Sequence, residues 1–96
     1  MTESTNNASA HKDAFDATST QKTGTFVVRV YAGSSVGSVP VMTYTTSFTG
    51  GSAPFGAGII TGPGDLAAGS QYTAQAYQVS TTGTISNTVV VTFTGG

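Results

Sequence analysis

Asp65–Val79, DLAAGSQYTAQAYQV, is the stretch that decides the fold of this chain. Leu66, Gly69 and Tyr72 stand in the spacing L-x-x-G-x-x-Y, and the alternate positions after Tyr72 are Ala74 and Ala76. Alternation of period two marks a strand with one buried face. Leu66 is placed to plug the bottom of a core. Gly69 lets the chain turn where other residues are strained. Tyr72 is expected to bury its ring while its hydroxyl bonds back to the upstream backbone. Beyond this strand, Thr81, Thr82 and Gly83 predict a turn. ISNTVVVTF, Ile85–Phe93, then predicts the last strand.

Upstream, TFVVRVYA, Thr25–Ala32, sends Phe26, Val28 and Val30 to one face and Val27, Arg29 and Tyr31 to the other. Two partly apolar faces suit a central strand. Gly33, Ser34 and Ser35 end it. VPVMTYTTSF, Val39–Phe48, predicts a second strand with Met42, Tyr44, Thr46 and Phe48 on one face. Pro40 lacks a donor and favours a strand start or an edge. Gly50–Gly64 is glycine-rich and reads as loop around one short strand, GAGII. Read in one register, the strands predict a core of Phe26, Val28, Val30, Leu66, Tyr72, Ala74, Ala76, Val89, Val91 and Phe93. A slip of one residue would turn a whole set outward.

The corner at Leu66, Gly69 and Tyr72, the glycine turn, the serine and the closing V-x-V resemble the last two strands of fibronectin type III and related Ig-like domains. The family pattern is roughly L-x-P-G-x-x-Y-x-V-x-V. Here Ala67 or Ala68 replaces the proline, Ala74 and Ala76 replace valines, and Gln78 occupies a place usually small and apolar. The chain has no tryptophan and no cysteine, so it departs from antibody-type domains. The resemblance implies an all-β fold, a small Ig-like (fibronectin III-like) antiparallel sandwich over residues 25–96. It also implies seven strands, two more than residues 25–96 supply unless the N-terminal segment or the glycine-rich stretch adds them. The alanines suggest a thin core at their strand.

Residues 1–24 are set apart as a polar, extended N-terminal arm. They hold Glu3, Lys12, Asp13, Asp16 and Lys22, with Phe15 as their one large apolar side chain. Such a segment cannot bury enough surface to fold alone. It reads as a flexible tail, as an arm that orders on a partner, or as a piece that completes a sheet. Ser9–Ala17 can form one or two helical turns, marginal in water. In the partner-ordered reading Phe15 is the anchor, and Lys12, Asp13 and Asp16 flank it.

Composition excludes more than it proposes. Charged residues make up 7 % of the 96 residues, and the net charge is −1. A typical domain carries ~25 % charged residues. The surface must therefore be covered by Thr, Ser, Gly, Asn and Gln. Nothing recommends nucleic acid or insertion into a membrane. The single histidine, His11, with Asp13 and Asp16 does not make a preorganised metal site. No base stands beside the many hydroxyls to activate a nucleophile, and Asp65 alone cannot supply a glycosidase pair. Asp65 reads as a turn former, and Gly62-Pro63-Gly64 as turn chemistry. Arg29 is expected to lie across a sheet face. Tyr31, Tyr44 and Tyr77 read as ordinary cross-strand packing, with a sugar-stacking patch as the alternative.

The expectation is thus a non-enzymatic protein with no cofactor. An outer-surface composition without an export signal in MTESTNNASA suits a virion protein. Arm plus sandwich resembles bacteriophage capsid decoration proteins, which implies a head-associated protein with the capsid protein as partner. Self-association is a further partner class. A bacterial cell-surface adhesin or filament subunit, or a carbohydrate-binding accessory module, remains the alternative, with an extracellular or cell-surface location.

Overall fold

The computed structural model describes residues 6–10, 14–21, 23–48, 52, 55–62 and 64–95. Seven strands run in chain order among them: β1 (Asn6–Ala10), β2 (Ala14–Ser19), β3 (Thr25–Ala32), β4 (Met42–Ser47), β5 (Phe55–Ile60), β6 (Gln71–Val79) and β7 (Val89–Thr94). They form two antiparallel sheets, β1-β2-β5 and β4-β3-β6-β7. The sheets pack face to face as a small β-sandwich. Seven strands in a three-plus-four split are compatible with an Ig-like sandwich. The Cα atoms of β1 approach those of β7 within 8 Å, and those of β4 approach β5 within the same distance. Stacked sheets normally lie about 10 Å apart, so the sandwich is pinched where its edge strands converge.

The predicted register holds. Phe26, Val28, Val30, Leu66, Tyr72, Ala74, Ala76 and Phe93 are buried, while Val90 and Thr92 are exposed. Val89 and Val91 are half-buried, because β7 is an edge strand. Two boundaries move. The strand expected from Val39 begins at Met42, and residues 33–41 form a loop. The strand expected from Ile85 begins at Val89, with Ile85 making only an isolated bridge to Val79. The side chain of Ser86 explains the delay. The Gln78 N–H donates to Ser86 Oγ (2.9 Å), and the Ser86 N–H donates to the Gln78 carbonyl (2.9 Å). A hydroxyl thus takes the place of a carbonyl in the ladder, and regular pairing resumes only at Val89.

The N-terminal segment follows one of its three expected readings, the piece that completes a sheet. The stretch read as an arm or as helical turns supplies β1 and β2, and β2 is the central strand of its sheet. Phe15, expected as an anchor for a partner, is 2 % exposed. Its ring lies 5.8 Å from Tyr44 on β4 and 5.3 Å, edge to face, from Phe93 on β7. A ring that reaches both outer strands of the opposite sheet must lie across the middle ones. There β6 offers only Ala74 and Ala76, facing Val30 and Val28 of β3. Phe15 shares one core cluster with those alanines from the other sheet. Ala17 and Ser19 follow Phe15 inward at period two. Phe48 and Ile59 join the same core, Phe48 packing edge to face on Phe26 at 5.7 Å.

Candidate functional site

Three polar arrangements among the described residues bear on the predicted site. The first is the corner. Gly69 sits at φ 80°, a left-handed conformation that glycine adopts without strain. Tyr72 is buried, its ring stacks on Phe93 at 5.9 Å, and the Ala67 N–H donates to its hydroxyl at 2.7 Å. Leu66 is buried beside it in the core. Leu66, Gly69 and Tyr72 therefore take the structural roles that their spacing predicts. The C-terminal strand closes over them: Gly69 N–H donates to the Gly95 carbonyl (2.9 Å), and Gly95 N–H donates to the Ser70 carbonyl (2.8 Å). A Cβ on Gly95 would run into the Ala67 carbonyl and the Tyr72 ring.

Two predictions follow at this corner. Tyr72→Phe keeps the ring and leaves the Ala67 N–H without its partner, so chemical denaturation should register a loss of about 1 kcal/mol or somewhat more. Gly95→Ala adds one methyl group and should cost about 1–3 kcal/mol by overpacking against backbone that cannot step aside. Unchanged denaturation midpoints in both variants would show that neither the Tyr72 hydroxyl nor the close approach at Gly95 stabilises the corner.

The second arrangement is Gln78. It is 1 % exposed, and its amide nitrogen donates to the carbonyls of Gln21 (3.0 Å) and Thr23 (3.2 Å). Its amide oxygen accepts from the Ser19 hydroxyl. One side chain on β6 therefore ties the end of β2 and the β2–β3 link to the opposite sheet. Gly24 completes the fit at φ 135°, where a Cβ would stand 2.7 Å from the Val79 carbonyl oxygen. The residue that departed from the family pattern is the polar tie between the two sheets.

The third arrangement is the Asp65 turn. The Asp65 N–H donates to the Gly62 carbonyl (3.1 Å), and Asp65 Oδ2 accepts from the Gly62 N–H (3.0 Å) and from the Tyr44 hydroxyl (2.9 Å). Burial, the hydrogen bond to Asp65 and the nearby negative charge push the Tyr44 phenol from its ordinary value of about 10 up to about 12. The raised value means that the folded state keeps this proton longer than the unfolded chain does. The stability it contributes is present below pH 10 and is lost as pH rises from about 10 to about 12. Alkaline absorbance titration should show one phenol titrating near pH 12. Tyr44→Phe should abolish that step and flatten the alkaline loss of stability; an unchanged titration would place the shift on another group.

The remaining candidates are dispersed. Asp16 is exposed on the outer face of the three-stranded sheet. Lys12 and Asp13 lie outside the described residues. Arg29 lies on the outer face of the four-stranded sheet, with its guanidinium 5.8 Å from the centre of the Tyr77 ring. It crosses the sheet face as expected, and the contact is a cation–π pair. Tyr31 is buried, Tyr44 is bound to Asp65 and Tyr77 carries Arg29. The three tyrosines thus do not converge on one stacking patch. Among the described residues no group of three His, Cys, Asp or Glu could hold a metal ion. Among the described residues no helix is long and apolar enough to cross a membrane.

The structure thus defines a small two-sheet β-sandwich compatible with an Ig-like sandwich. No protein-family model, curated protein or solved structure matches the chain.

Proposed function

We propose that this protein is a non-enzymatic structural component of a virion, a phage capsid decoration or head-associated protein that exposes an Ig-like domain on the particle surface. The observation that carries the reading is how the polar groups are used. Gln78, Tyr72 and Asp65, which have the chemistry to act on a ligand, each bond within the fold. The outer faces are left with threonines, glycines, single charges and exposed aliphatics. A surface of this kind suits contact with a protein assembly better than turnover of a substrate. The partner in this reading is the capsid protein, met by an outer sheet face or by the loops. The Phe15 ring belongs to the sandwich itself.

The test is binding to assembled particles. Purified protein is mixed with assembled phage capsids, and bound copies are counted after sedimentation. Saturation at a fixed copy number per capsid is the expected result. No co-sedimentation, together with specific signals on a glycan array, would replace this reading with the carbohydrate-binding module.

A further inference from the structure

One side of the four-stranded sheet is open. β4 is its outer strand and pairs with β3 alone. Tyr44 stands opposite Val28, and in the same register the Phe48 N–H donates to the Gly24 carbonyl (3.5 Å). Every second residue of an antiparallel strand bonds to a given neighbour. Met42, Tyr44 and Thr46 therefore bond toward β3, and Thr43, Thr45 and Ser47 turn their N–H and C=O groups to the open side. Among the described residues no other backbone group bonds to these three. Outer strands are ordinarily protected from pairing by charge, proline or a bulge. Met42–Ser47, MTYTTS, holds no charged residue and no proline, and its register with β3 runs unbroken over all 6 residues. The inward row also has an open flank. Met42 and Tyr44 pack against the core but stay half-buried, as does Thr46. Val39 and Val41, 77 % and 49 % exposed, lead into the strand.

We infer that two copies of this chain pair through β4, antiparallel about a two-fold axis at Thr45, so that their four-stranded sheets become one. This register uses every open group. Thr45 meets the partner's Thr45, and Thr43 meets the partner's Ser47, each pair exchanging both backbone hydrogen bonds. The occupant is a second copy for three reasons. A two-fold axis sets the middle of a strand against itself, which a charged residue would resist, and β4 has none. Threonine opposite threonine is a favourable cross-strand pair, and it falls on the axis. Met42 comes opposite the partner's Phe48 and Tyr44 opposite the partner's Thr46, so the half-buried row of each copy covers that of the other. β7, the other outer strand, leaves less to cover: Phe93 is already buried, and Val89 and Val91 are smaller than Met42 and Tyr44. The contact is isologous and closes at two copies. One strand pair lies at the small end of specific interfaces, so the dimer dissociates on dilution and holds where copies are concentrated. The inference does not rest on the virion reading.

Changes at the axis test it. Sedimentation velocity on the full chain, from about 10 μM to about 1 mM, should show average mass rising to a plateau at dimer. Thr45→Lys sets two ammonium groups face to face, on a side chain that is exposed in the single copy. It should be monomeric over the same range, with the parent's circular dichroism spectrum and urea midpoint. Thr45→Pro removes the open N–H and spares the bonds to β3, and it should also be monomeric. Thr92→Lys, the like change on β7, should dimerise as the parent does. The chain has no cysteine, so Thr45→Cys should be trapped by oxidation as a disulfide-linked dimer, and Thr92→Cys should not. A parent still monomeric at about 1 mM would overturn the inference. So would growth beyond dimer, a dimer that persists in Thr45→Lys, a dimer lost in Thr92→Lys, or trapping at Thr92→Cys without trapping at Thr45→Cys. Capsid binding in the preceding experiment can succeed or fail without altering any of these outcomes.

Discussion

Removal of residues 1–24 is expected to unfold the protein. The deletion takes away β1 and β2, which include the central strand of the three-stranded sheet, and leaves β5 without its partner. It also removes Phe15, whose ring bridges toward Tyr44 and Phe93 across the alanine positions of β6. Aromatic side chains dominate core energetics, and truncating one to alanine costs about 3–5 kcal/mol. A domain has only about 5–15 kcal/mol of stability in all. Loss of a ring, a strand pair and the partners of Gln78 together exceeds what a chain of this size can withstand. Far-UV circular dichroism and urea denaturation of the truncated chain should show no cooperative transition. Phe15→Ala in the full chain should lower the midpoint markedly. A truncated protein that unfolds with the parent's midpoint would return residues 1–24 to the role of an accessory arm, with Phe15 free to anchor a partner.

The second large effect is expected at Gln78. Gln78→Leu keeps most of the side-chain volume and removes the amide. The buried hydroxyl of Ser19 and the carbonyls of half-buried Gln21 and exposed Thr23 then lose their partner. An unsatisfied buried group costs about 1–3 kcal/mol, and water can reach the two carbonyls, so the change should cost on the order of 1–3 kcal/mol. The Ser19 hydroxyl still donates nothing useful by turning away, although it accepts the Gln21 N–H at 3.0 Å. Leucine would be expected to stabilise a site whose neighbours were apolar. A gain in the denaturation midpoint would therefore show that the amide contributes nothing. Gln78→Glu offers a second check. Its carboxylate can still accept from Ser19 when ionised but cannot donate to either carbonyl, so it should be at least as damaging near neutral pH.

These two residues also mark where reading the chain by itself stops. Phe15 sits in a segment rich in charge and poor in apolar residues, and local composition argues against folding there. Its ring partners, Tyr44 and Phe93, come from the other sheet and stand far later in the chain. Gln78 shows the reverse case. Its departure from the apolar pattern is visible at once, but its partners at Ser19, Gln21 and Thr23 are supplied by a segment with no obvious strand signal.

The sequence by itself determined the all-β class, the register of β3 and β6, the inward set from Phe26 to Phe93 and the corner at Leu66, Gly69 and Tyr72. Those features depend on alternation and turn chemistry over a few residues, and the chain carries that information locally. It also determined the scarcity of charge that gives the surface its character. Only the tertiary structure decided that the N-terminal segment completes the sandwich, that Phe15 is core, that Gln78 joins the two sheets and that Asp16 and Arg29 occupy opposite faces. Each of these rests on contacts between residues far apart in sequence. A strand with few apolar residues of its own has no local pattern to announce it; its place is set by the gap that the facing sheet leaves and by the hydrogen bonds its backbone can complete there.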